Sequence, residues 1–338
     1  MPFTDGRSRG GPGEAAAQVD ETELWAELYH NPLAELELAA AAGGHGTELS
    51  PGAPLPAERP RALLAALDGH LSDIAGSAAG GPMGPHLATA VTELSRSGLL
   101  GPAATTLPDD EELARLLARA LVAAALSAVF AEDAPLIPDG AARDAVAAAL
   151  AERMGARPRG SERGIGTLLA RPALRLASRQ AVRRRRALTE AAHPAAADVM
   201  LYLARGERLR RRLRETIEGL EPPVVVIGHS LGGIIALDTL IAAPLPQVAL
   251  LVTVGSQGPF LYESGALPGL AYPEPLPEHV PEWLNLYDPR DLLGYIGAPL
   301  FPHRVTDIEV DNRQPFPASH SAYWTNPAVY RAIAKRLP

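Results

Sequence analysis

The stretch from Pro222 to Ile241 constrains the fold of this 338-residue chain more than any other part. Four β-branched residues, Val224 to Ile227, run into Gly228-His229-Ser230-Leu231-Gly232, and an apolar helical pattern follows without a break. A short β-branched run bounded by prolines and a glycine marks a strand buried on both faces, hence a parallel sheet. Parallel strands need crossover connections, so this corner predicts a strand-turn-helix unit of α/β architecture.

Three more apolar runs follow, at 248–256, 283–288 and 304–310, and NPAVYRAIAKRL closes the chain as a helix. Upstream of about residue 220 the pattern is helical almost throughout. Leu24, Trp25, Leu28 and Leu33 recur at helical spacing, and helices are expected over 60–78, 85–98, 141–155, 165–192 and 196–219. Another opens at Pro108 with acids in its first turn, as suits the positive end of a helix dipole. The expected organisation is a Gly-rich, polar, disordered N-terminus (1–20), a helical lid or cap region (21–195) and a parallel-sheet core (196–338).

The corner fits G-x-S-x-G, in which a serine on a tight strand-to-helix turn projects its hydroxyl above the strand ends. Glycines two before and two after it leave room for neighbouring backbone. The N–H of Leu231 points to the same place and can hold a developing oxyanion. The plainer alternative is a tight turn with Ser230 as helix N-cap. His229 is next to the serine, but neighbouring side chains diverge at such a turn, so it is expected to pack or hydrogen-bond locally.

A serine hydroxyl needs a base. In this arrangement the acid and then the histidine follow the serine along the chain. His279 precedes the acid candidates, and His303 comes before the last strand run, at the wrong end of a strand. His320, in PASHSAYW, stands between that run and the final helix, where the base is required. For the acid, NLYDPRDLLGY offers Asp288 and Asp291 just past a strand. Asp291 is preferred, because the two leucines after it can anchor the loop. Asp288, before Pro289, can instead cap the turn. Asp307 and Asp311 read as strand or turn residues.

The chain has no cysteine, which excludes disulfides, zinc–thiolate sites and a thiol nucleophile. The N-terminus has no apolar core of signal-peptide length, and the run from Leu121 to Ala131 is too short to span a bilayer, so a cytoplasmic protein is expected. Residues 171–214 hold thirteen arginines against three acids, including Arg183, Arg184, Arg185 and Arg186. That block reads as a solvated helix face or as a surface for an anionic partner. No aromatic residues interleave with the Arg183–Arg186 run, which argues against specific nucleic-acid binding.

Residues from about 196 to 330 resemble the α/β-hydrolase superfamily, on VVVIGHSLGG, LVTVGSQ, WLNLYDPRDLL and SHSAYW. GHSLGG is the form common in intracellular lipases and esterases. The helix leading into the nucleophile strand looks like that of actinobacterial hydrolases related to lipases. The resemblance implies a serine hydrolase of carboxylic esters, with a small-molecule or lipid ester as substrate. Ser230, Asp291 and His320 would take the nucleophile, acid and base positions, and no cofactor or metal would be needed.

The sequence departs from the family in one place. Such enzymes carry an early strand ending in His-Gly, whose loop supplies a second oxyanion N–H. The only His-Gly here is His45-Gly46, and no β-branched run precedes it. A partial hydrolase core is therefore expected, with an uncovered strand edge that favours homo-oligomerisation. Two other functions fit the same residues: a catalytically weakened fold used for binding, and an acyltransferase with the same triad.

Overall fold

The computed structural model describes residues 21–42, 55–75, 77, 81–132, 136–158 and 196–338. The polar N-terminus, His45-Gly46, the expected helix at 165–192 and the Arg183–Arg186 block lie outside the described residues.

The N-terminal part is helical: α1 (Glu21–His30), α2 (Ala34–Ala41), α3 (Arg59–Ala65), α4 (Leu71–Ala75), α5 (Gly84–Ser95), α6 (Leu100–Thr106), α7 (Asp110–Ala131) and α8 (Gly140–Arg153). Several runs that read as one helix are two. Asn31-Pro32 parts α1 from α2, since proline removes an N–H and crowds the preceding turn. The stretch expected as a helix over 60–78 breaks into α3 and α4 around turns at 66–70, where Gly69 takes a positive φ of 77°. Helix α7 runs through the middle, burying Leu113, Leu117, Leu121 and Leu126 against α1, α2, α5 and α8. Its N-cap Asp109 accepts the Glu111 N–H, and Asp139 caps α8 through the Ala142 N–H. By length and composition α7 could cross a membrane, but most of its apolar stretch is buried inside this helical core.

The C-terminal part opens with two helices, α9 (196–205) and α10 (Glu207–Glu218). Four parallel strands follow in the spatial order β1 (Val224–His229), β2 (Val248–Val254), β3 (Glu282–Tyr287) and β4 (Val305–Glu309). Only the first crossover is a full helix, α11 (Leu231–Ala242). Between β2 and β3 stands the short α12 (Gly258–Glu263), then a segment with Pro268, Pro273, Pro275 and Pro277, which no helix could accommodate. That segment still fills the core, through Leu267, Leu270, Leu276 and Val280. After β4 come α13 (Ala318–Ser321) and the closing α14 (Pro327–Ala334). This is a partial α/β-hydrolase fold, with a parallel sheet and a large helical N-terminal region.

Among the described residues no strand lies beyond β1, so it forms one edge of the sheet. The N–H groups of Val224 and Ser230 bond to the β2 side. By alternation, the backbone groups of Val225 and Ile227 face outward, and the Ile227 side chain is exposed. The helical part docks at the other end of the sheet. Gly140 N–H donates to the Asn312 carbonyl at 2.8 Å, and the Gln314 side-chain amide donates to the Pro138 carbonyl at 2.6 Å. The buried Arg143 guanidinium reaches the Arg313 carbonyl and the Gln314 side chain while lying over the Trp25 ring. A side chain at Gly140 would collide with Arg313.

Candidate active site

Ser230 stands at the carboxyl end of β1 with φ 53° and ψ −123°, a strained backbone for any residue but glycine. What holds it there is close packing of the turn. A Cβ at Gly228 would lie 2.6 Å from the Gly232 carbonyl oxygen and from the Gly233 nitrogen. Gly233 is as tight, 2.6 Å from the Ser256 hydroxyl, whereas a Cβ at Gly232 would meet nothing. The second glycine the turn requires for room is therefore Gly233, one position later than the sequence pattern suggests. The Ser256 hydroxyl, at the end of β2, donates to the Ser230 carbonyl at 3.0 Å and fastens the corner to the neighbouring strand.

Leu231 is the first residue of α11, so its N–H has no partner within the helix and points with the helix dipole toward the corner. The structure brings Ser230, His320 and Asp291 into one line. His320 Nε2 lies 2.9 Å from Ser230 Oγ, and His320 Nδ1 lies 2.9 Å from Asp291 Oδ2. A carboxylate only accepts, so the neutral ring carries its proton on Nδ1. That leaves Nε2 free to accept from the serine hydroxyl. Asp291 is buried, and its other oxygen accepts the Leu293 N–H at 2.9 Å.

Asp288, three residues earlier, does different work. Its two oxygens accept the N–H groups of Arg290 and Asn312, both at 2.8 Å, which closes the turn after β3 and ties it to the segment after β4. Burial pushes its carboxyl above the usual range, against the pull of those two N–H bonds. Asp307 accepts from Asn285 and from the N–H groups of Gly297 and Ala298, and Asp311 pairs with Arg290. His279 bonds to carbonyls at the end of α11, and His303 sits in a left-handed turn before β4.

Three neighbours of the site escaped the sequence pattern. His229 turns back onto the base: its Nε2 lies 2.8 Å from the His320 carbonyl oxygen, and the two rings are 4.8 Å apart. Burial, and then the nearby His320, hold His229 down to about 4, so it is neutral around pH 7. Tyr323 donates its hydroxyl to Asp291 Oδ2 at 2.9 Å. Asn312 donates to the Ser319 carbonyl and accepts from Asn326, holding the α13 turn that carries His320. His229 is visible in the motif, though not its partner, and Tyr323 stands three residues after His320, on the same side of a helical turn, while nothing in the sequence marks Asn312.

A serine on a strained strand-to-helix corner, at the carboxyl edge of a parallel sheet, resembles the nucleophile turn of α/β hydrolases. Residues 189–337 match the model of the alpha/beta hydrolase family, which supports a hydrolase in general and leaves the helical part outside the match. No curated protein and no solved structure matches the chain. Among the described residues no group of three or more His, Asp or Glu side chains could hold a metal ion.

Proposed function

We propose that this chain is a serine hydrolase of carboxylic esters, residues 196–338 forming its catalytic core and the helical part a cap. The observation that carries the reading is the unbroken hydrogen-bonded line Ser230–His320–Asp291, with both links at 2.9 Å. Ser230 Oγ attacks the ester carbonyl while His320 Nε2 takes its proton. The carbonyl oxygen gains the charge and turns toward the Leu231 N–H and the positive end of α11. Asp291 stabilises the imidazolium. His320 then returns the proton to the leaving alkoxide, and water repeats the sequence on the acyl-enzyme.

A second reading, a catalytically weak hydrolase fold used for binding, is favoured by the open edge of β1. On this reading, the described residues offer the Leu231 N–H where two oxyanion donors are usual, and loss of one donor costs about 10²–10³ in rate.

One experiment separates the two. A fluorophosphonate probe reacts with an activated serine whatever its natural substrate. Rapid labelling of the wild-type chain, with none of Ser230→Ala, is expected from the first reading. Labelling of Ser230→Ala at the wild-type rate would place the nucleophile elsewhere. Slow labelling of Ser230 in a self-associating chain would favour the second.

A further inference from the structure

We infer that Tyr323 is a positioning residue for the acid of the site, an inference that rests on the hydrolase reading above. Its ring is fully buried, and its hydroxyl makes two bonds that fix it in space. It donates to Asp291 Oδ2 and accepts the N–H of Asp288, both at 2.9 Å. Asp288 N–H belongs to the end of β3, so the hydroxyl ties the Asp291 carboxylate to the rigid sheet rather than to its own loop. The oxygen it touches is the one that receives His320 Nδ1–H.

Close packing around this pair shows how little space it is given. Gly255, at the end of β2, has φ +54°, and a Cβ there would lie 2.7 Å from the Tyr323 ring and 2.8 Å from Asp291 Oδ2. On another side a Cβ at Gly294 would lie 3.2 Å from the Tyr323 hydroxyl and 3.3 Å from Asp291 Oδ2. Two glycines from different loops thus form a slot that fits one hydroxyl and one carboxylate. Burial next to Asp291 keeps the phenol protonated far above its ordinary range, so it stays a donor at every working pH.

The consequence is electronic as well as geometric. Asp291 Oδ2 shares its lone pairs between His320 and Tyr323. With the phenol proton removed, the carboxylate turns its full charge on the imidazole, and His320 holds a proton more tightly. The other titratable groups facing the pair are His229 from β1, which is neutral, and Asp288 from the end of β3. The Arg290–Asp311 ion pair lies further out, at the surface. A Tyr323→Phe change alters none of these charges.

The test is Tyr323→Phe, assayed with a short p-nitrophenyl ester over a range of pH beside a thermal melt. The expected result is a fall in kcat of about tenfold, in keeping with a lost hydrogen bond to a charged group. KM should change little, and the acid limb of the pH–rate profile should move to higher pH. Tyr323→Phe also leaves the Asp288 N–H without its partner, so some loss of melting temperature is expected. Gly294→Ala is the second variant: it crowds the same hydroxyl and should lower kcat without removing any bonding group. An unshifted acid limb and unchanged kcat in Tyr323→Phe, with only a lower melting temperature, would overturn the inference and make Tyr323 a structural residue. An inactive wild-type chain that fails to label would instead overturn the hydrolase reading itself.

Discussion

The helical part and the sheet part place their polar groups in opposite ways. In the helical part, apart from Arg143 and Tyr29 at the contact with the 313–314 segment, they serve the helices. Asp109 and Asp139 are caps, and Glu35 holds Arg119 by two bonds of 2.7 Å across the core. In the sheet part, buried polar groups form a chain that leads somewhere: from Tyr323 to Asp291, to His320, to a serine held at positive φ. Strain and buried charge cost stability, so they persist where surrounding packing enforces them. That combination marks a candidate site better than the size of a core does.

The sharpest way to break this contrast is within the sheet part itself, between two aspartates three residues apart. Asp291→Asn should lower ester hydrolysis by about four orders of magnitude, because the amide orients the wrong histidine tautomer. Asp288→Asn should leave most of the rate and lower stability instead, since one of the two N–H groups it accepts would face an NH2 donor in place of an oxygen. Rates of the two variants, corrected for folded fraction, check this. A larger rate loss in Asp288→Asn would exchange their roles.

A smaller effect is expected in the helical part. Glu35→Ala leaves the Arg119 guanidinium without its partner, and breaking such a buried pair costs about 3 kcal/mol. The measurable outcome is a lower denaturation midpoint with unchanged turnover per folded molecule. Lost turnover in fully folded Glu35→Ala would mean that the helical part shapes the site, contrary to the contrast drawn above.

The smallest effect concerns pH. His229 is held down to about 4 in the folded chain, against an ordinary value near 6.5. Between those values the unfolded chain binds the proton and the folded chain does not. Stability from this group is therefore present above about pH 6.5 and is lost as pH falls toward 4, by about 3 kcal/mol at most. His229→Phe removes the titration while keeping an aromatic ring against His320. Chemical denaturation at several pH values should show a flatter dependence for the variant. An identical slope would show that the acid sensitivity arises elsewhere.

Much of the site was legible because its signals are local. Ser230 announces itself by a β-branched run, a glycine and an apolar helix in immediate succession. Asp291 stood out from Asp288 by the leucines beside it, and His320 by its place in chain order. The glycine pattern misled by one position: the motif points to Gly232, while the close contact falls on Gly233, against a Ser256 hydroxyl from the next strand. The sequence points to a local packing or hydrogen-bonding role for His229, but not to its partner. Its bond to the His320 carbonyl joins residues ninety-one positions apart, which no window of sequence contains.

By itself, then, the sequence determined the elements and the corner, since hydrophobic period, β-branching and glycine act over a few residues. It also pointed to the parallel class of the sheet through continuous apolar runs, which in β2 and β3 are buried on both faces, whereas the edge strand β1 leaves Ile227 exposed. Tertiary structure alone decided which carboxylate oxygen meets His320, that a tyrosine hydroxyl shares that oxygen, and that Gly255 must leave room for both. It alone decided that the helical part grips the 312–314 segment leading to His320. Each of these is a distance of about 3 Å between groups brought together by chain closure, and closure depends on how every intervening element packs.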